Sequence, residues 1–157
     1  MIINKMAFVL KNNAYGHGLL EMAKIANQNN IKHAVVNNYK EAKKIANYFN
    51  SILVLSDIPK KSPLNNISIA INDIEDINKI SSKTSVELKI DTGMHRNGIS
   101  IDQVMEAISM IGRSKLVLKG VFTHFANAFE DDGSMEKQKS IFVNHSHNLI
   151  FFCFLYF

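Results

Sequence analysis

Three short clusters in this sequence have the residue types and spacing to do chemistry. Lys11 closes the apolar run Ala7-Phe8-Val9-Leu10 and is followed by Asn12, Asn13, Ala14, Tyr15, Gly16, His17 and Gly18. A second cluster runs Lys89-Ile90-Asp91-Thr92-Gly93-Met94-His95-Arg96, and a third is Thr123-His124-Phe125-Ala126. A lysine amine at the mouth of a strand suits condensation with a carbonyl. The most useful such carbonyl is pyridoxal phosphate, whose ring accepts the electrons left by a broken Cα bond. Once displaced by substrate, the same amine is a nearby base. The Tyr15 hydroxyl could donate to a phosphate oxygen, and the Arg96 fork could hold a carboxylate or a ring oxygen. His17 and His124 suit either a cofactor contact or a structural hydrogen bond.

These residues need elements that bring them to one face. The opening run, with Phe and Val, suits a strand covered on both faces, and the Asn, Gly and His residues after it suit a turn before a helix. Residues 19, 22, 23 and 26 give one apolar helical face, stopped by Asn29-Asn30. His33–Val36 reads as a strand, and 41–49 as a helix with Ala42, Ile45, Ala46 and Phe49 on one side. Ile52–Leu55, Ile67–Ile71, Val86–Ile90 and Leu116–Phe122 are further strand candidates. Asp73 is placed to cap a helix through about Ile80. The apolar face Val104, Ala107, Ile108 and Ile111 predicts a helix over 101–111 that ends at Gly112.

Six strands alternating with helical patterns predict an α/β fold with a parallel sheet and right-handed crossovers. An open doubly wound sheet and a (β/α) barrel are both allowed, and a closed eight-unit barrel normally needs at least about 200 residues. In either form the strands' C-terminal ends share one face, where such folds keep their chemistry.

Several functions are disfavoured. The net charge of +4 comes from scattered lysines rather than a basic patch, so no nucleic-acid partner is expected. A single cysteine, Cys153, excludes an internal disulfide and a cysteine zinc site. The histidines at 17, 33, 95, 124, 145 and 147 form no metal-binding pattern, and His145 with His147 is a weak pair, so no metal is expected. The N-terminus carries no secretory pattern, and the apolar run 149–157 is too short to span a bilayer as a helix. A cytoplasmic protein is expected.

With the three clusters in view, the chain resembles the bacterial alanine racemase family. That family's lysine signature, approximately Val-Val-Lys-Ala-Asn-Ala-Tyr-Gly-His-Gly, is matched at Val9–Gly18 with its main departure at Asn12. Lys-x-Asp-Thr-Gly-Met-x-Arg-x-Gly stands at Lys89–Gly98, and Thr-His-Phe-Ala at Thr123–Ala126. The resemblance implies a pyridoxal-phosphate-dependent isomerase that interconverts L- and D-alanine for peptidoglycan. It also implies an N-terminal (β/α)8 barrel, present here as about six βα units. Lys11 would carry the cofactor and act as the base on the D-side proton, and Tyr15 would bond the cofactor phosphate. Arg96 would contact the cofactor's phenolic oxygen and the substrate carboxylate. Lys89, often carbamylated in the family, would position Arg96, and His124 would pack at the cofactor ring.

The resemblance covers roughly residues 6–142, so the expected division is a partial barrel over 1–142 and a divergent apolar tail over 143–157. In the family, a tyrosine base and an arginine facing the pyridine nitrogen come from the C-terminal part of the chain. The tyrosine is supplied by the partner subunit of a homodimer, an assembly doubtful for this chain. The expectation is therefore a racemase-type chain with little or no activity alone. The alternatives are a non-catalytic cofactor-binding remnant or a small barrel protein of pyridoxal phosphate homeostasis. The tail's Phe151, Phe152, Phe154, Leu155, Tyr156 and Phe157 could instead cover an open sheet edge.

Overall fold

The computed structural model describes residues 6–146 and the backbone of a strand at 153–156. The chain divides into two compact units, Met1–Ala70 and Ile71–Phe157.

In the first unit, strands β1 (Ala7–Val9), β2 (His33–Val36), β3 (Ser51–Val54) and β4 (Ile67–Ile71, whose last residue begins the second unit) pair in sequence order, all parallel. The nearly continuous apolar sequences of β2 to β4 suit burial on both faces, and β4 is buried at every residue. The opening strand differs from expectation. It is one residue shorter and only half-buried, because in this unit it has a neighbour on one side alone. Leu10, just beyond it and 1% exposed, is the residue that enters the core.

Between β1 and β2 come α1 (Lys11–Tyr15), a single turn, and α2 (Leu19–Gln28), which buries Leu19, Ala23 and Ala26. Asn29 and the left-handed Asn30 (φ 58°) end α2 where the asparagine pair predicts. Helix α3 (Tyr39–Ile45) starts two residues before the expected point, because the Asn38 side chain accepts the Glu41 N–H at 2.9 Å. Its far end tightens into a 3-10 turn at Ala46–Tyr48. There Asn66 Nδ2 donates to the carbonyls of Ala46 (2.9 Å) and Phe49 (3.0 Å).

In the second unit, β5 (Ser85–Lys89), β6 (Val117–His124) and β7 (Cys153–Tyr156) are parallel neighbours. A bulge between Val86 and Glu87 brings Lys89 opposite Phe122. Asp73 does cap the next element, accepting the Glu75 N–H at 2.9 Å, but that element (Ile74–Lys79) is a 3-10 helix. Helix α4 (Val104–Arg113) runs past the expected stop at Gly112. The reversal falls at Lys115 (φ 55°), whose N–H donates to the Gly112 carbonyl. Helix α5 (Ser134–Ser146) was not visible as a pattern in the sequence; it buries Gln138 and Phe142. β7 places a strand inside the apolar tail, whereas His147, Phe151, Phe152 and Phe157 lie outside the described residues. Among the described residues no helix is long and apolar enough to cross a membrane, and no cluster of metal-ligating side chains occurs.

Candidate active site

The first unit presents Lys11 immediately beyond β1. Leu10 continues the pairing, donating its N–H to the Val35 carbonyl at 2.7 Å, and the chain then winds the opposite way from an ordinary helix. Asn12 (φ 55°, ψ 55°), Asn13 (φ 55°, ψ 43°), Ala14 (φ 53°, ψ 49°) and Tyr15 (φ 54°) are all left-handed, and Gly16 (φ 93°) closes the turn. L-residues resist this conformation by roughly 1–2 kcal/mol each, asparagine least. A run of four therefore needs support from its surroundings.

That support is visible. Ala14 is buried, and its N–H reaches the Leu10 carbonyl at 2.9 Å. The Asn13 side chain accepts the Leu19 N–H at 2.9 Å, which caps the start of α2, while its own N–H donates to Glu41 Oε1 at 2.9 Å. The turn leaves Lys11 half-buried with its Nζ 5.7 Å from the centre of the Tyr15 ring, and Tyr15 is 60% exposed. Lys11 and Tyr15 are thus brought together. His17 is exposed, its N–H bonded to the Ala14 carbonyl. His33 is structural, its Nδ1 lying 2.7 Å from the Ser51 hydroxyl.

In the second unit, β5 ends on Lys89 and β6 on His124. The segment between Ile90 and Ile99 is pinned at its base by an isolated parallel bridge, with Asp91 N–H to Ile99 O at 2.9 Å and Ile99 N–H to Lys89 O at 2.8 Å. Inside it, Asp91 Oδ1 accepts the N–H groups of Gly93 (3.0 Å), Met94 (3.1 Å) and His95 (3.1 Å), and Oδ2 lies 3.1 Å from His95 Nδ1. Burial pushes the Asp91 carboxyl up. The N–H donors of Gly93 and His95 and the His95 ring outweigh it, and the group is held below the ordinary aspartate range.

Gly98 (φ 123°) brings the loop back with no room for a side chain, since a Cβ there would lie 3.0 Å from the Asp91 nitrogen. Arg96 is exposed at the loop's edge. Lys89 is buried and donates to Asn97 Oδ1, and Asn97 Nδ2 in turn donates to Asn72 Oδ1 at 3.3 Å.

The second and third motifs are joined by buried polar groups. Thr123 Oγ1 donates to the Ile90 carbonyl at 2.8 Å and lies 2.8 Å from Thr92 Oγ1. From α5, Gln138 donates to Thr92 Oγ1 (3.3 Å) and accepts the Ala126 N–H (3.0 Å), so one side chain spans both loops. Sequence reasoning missed Gln138 and Glu41. Glu41 was legible as the last member of an Asn-x-x-Glu helix start at Asn38–Glu41. Gln138 carries no local signal, because its partners are 12 and 46 residues away.

The profile of the family "Alanine racemase, N-terminal domain" matches residues 2–150. The chain belongs to this family. An alanine racemase of a Nitratiruptor species is 46% identical over 127 residues, which is 81% of this chain and 37% of the relative. One from Campylobacter jejuni (strain 81-176) is 39% identical over 154 residues, 94% of this chain and 47% of the relative. The chain therefore spans less than half the length of these relatives. Among solved structures, the alanine racemase of Clostridium difficile 630 superposes with a TM-score of 0.86 at 28% identity, covering 99% of this chain and 46% of that one. The Bacillus anthracis alanine racemase with bound L-Ala-P gives 0.83 at 27% identity, with the same coverage. Of the two topologies the strand pattern allowed, the fold is the α/β barrel of alanine racemases, held here in part.

Proposed function

We propose that this chain is the barrel part of an alanine racemase that binds pyridoxal phosphate on Lys11 and acts on alanine. The observation that carries the reading is the placement of Lys11, a half-buried amine directly after β1 with Tyr15 beside it on the same turn. A primary amine can condense with an aldehyde and a phenolic hydroxyl can donate to a phosphate oxygen, so these residues fit the group. Pyridoxal phosphate, when bound, supplies a sink for the electron pair of a broken Cα–H bond. Lys11 Nζ is its attachment point and, when released, the base for one face of Cα. The Tyr15 hydroxyl donates to the phosphate.

Arg96 offers its fork to the substrate carboxylate, and Lys89 acts on Arg96's loop through Asn97. His124, at the end of β6, belongs to the cofactor's hydrogen-bond surroundings. Racemisation needs a second acid–base group on the opposite face of Cα, which the family takes from a partner's tyrosine. The cytoplasmic setting and D-alanine supply for peptidoglycan belong to this same proposal; the family's homodimer is not assigned to this chain alone.

The test treats the 157-residue chain with pyridoxal phosphate and borohydride and maps the fixed label by mass spectrometry. Label concentrated on Lys11 and lost in Lys11→Ala is the expected result, with little or no alanine racemisation by the chain alone. Label spread evenly over the exposed lysines would overturn the reading.

A further inference from the structure

The four left-handed residues after Lys11 raise a question of hand. The turn's own bonds, such as Ala14 N–H to Leu10 O and His17 N–H to Ala14 O, span four or three residues, as those of a right-handed turn also do. They do not explain why the disfavoured hand prevails. A contact from outside the turn must choose it.

Glu41 is in position to do so. In an ordinary capping box the third helical residue reaches back to the N–H of its own cap residue. Here Asn38 is the cap and accepts the Glu41 N–H, but the Glu41 carboxylate does not return to Asn38. Its Oε2 accepts the Asn37 N–H at 3.1 Å, one residue earlier, and its Oε1 crosses to the Asn13 N–H at 2.9 Å. One half-buried carboxylate therefore ties the residue just past β2 to the middle of the left-handed turn just past β1. Those strands are paired, Val9 opposite Val35, so the carboxylate closes a ring of hydrogen bonds beyond their ends.

We propose that Glu41 is a positioning residue for Lys11. By accepting the Asn13 N–H it selects the left-handed winding, and through that winding it sets where the Lys11 amine points. This rests on the reading of Lys11 as the cofactor lysine.

The test uses the full chain with Glu41→Gln, Glu41→Ala and Asn66→Ala. The last loosens the far end of the same helical segment, at Ala46 and Phe49, without touching the turn. Two quantities are read: the pyridoxal phosphate concentration that half-labels Lys11 after borohydride, relative to label on the exposed Lys24, and amide hydrogen exchange over residues 13–18. Glu41→Ala is expected to raise the half-labelling concentration on the order of tenfold, as loss of a hydrogen bond to a charged group does. It should speed exchange at Asn13 similarly.

Glu41→Gln, which keeps one acceptor, should give a smaller shift of the same sign. Asn66→Ala, compared at equal fraction folded, should change neither. Equal shifts in Glu41→Ala and Asn66→Ala, or none in either Glu41 variant, would overturn the assignment. If the unaltered chain takes no label at Lys11 but Glu41→Ala still speeds exchange at Asn13, the cofactor reading fails and the winding role stands.

Discussion

The turn after β1 and the loop after β5 each follow a parallel strand and each hang on one carboxylate, but they draw it from different places. The Asp91–Gly98 loop carries its own acid, although Thr92 and Asn97 also bond outside it. Its acid is its own first residue and gathers three N–H groups within four positions, and its reversal is made by a glycine. The Lys11–Tyr15 turn takes its acid from α3, 28 residues on, and puts asparagine, alanine and tyrosine into a conformation that glycine would adopt more readily. A loop whose carboxylate is its own keeps that anchor wherever its own sequence is kept. A turn held against local preference holds its shape only while the surrounding unit is folded.

This contrast can be broken most severely at Gly98. Gly98→Ala should destabilise the second unit by about 2–3 kcal/mol, because φ of 123° is closed to alanine and the new Cβ meets the Asp91 nitrogen. Urea denaturation reads the loss, and an unchanged midpoint would mean that the loop relaxes freely.

In the first unit, Asn13→Ala removes both the residue type that best tolerates the left-handed region and the acceptor for Leu19 N–H. The expected cost is about 2 kcal/mol. It should appear as faster proteolysis near residues 12–19, with Lys11 labelling impaired in proportion; stable protein with normal labelling would show that Glu41 suffices.

The smallest effect is expected at Asp91. Its carboxyl is held below the ordinary range, so its contribution is present above the unfolded value of about 4 and is lost as pH falls through the lower folded value. Asp91→Asn should therefore cost on the order of 1 kcal/mol near neutral pH. The gap to the unaltered chain should close in acid, as paired urea titrations at the two pH values would reveal. A gap that persists in acid would assign the loop's stability to geometry rather than charge.

Much of the fold was legible because its signals are local. The largely apolar runs at Ile67–Ile71 and Ile52–Leu55 hold strands β4 and β3, the Asn29-Asn30 stop is real, and Asp73 caps as placed. The departures have a common cause. Glycine often ends helices, but Gly112 lies inside α4 and the reversal falls three residues later, at Lys115. Helix α5 has no clean apolar stripe; what it buries, Phe142 and Gln138, is decided by the loops it covers.

The motif residues were legible in the same local sense: Lys11 and Tyr15, Lys89 to Arg96, and His124 all lie at or just beyond strand ends. The groups that hold them were not.

By itself, then, the sequence determined the order of the first six strands and of helices α2 to α4, the family and the identity of the amine that matters, because each is written in contiguous residues. Tertiary structure alone decided the hand of the turn that presents Lys11 and the bridge that Gln138 makes between two motifs. Both depend on hydrogen bonds between residues distant in the chain, and no contiguous stretch of sequence carries the distance between them.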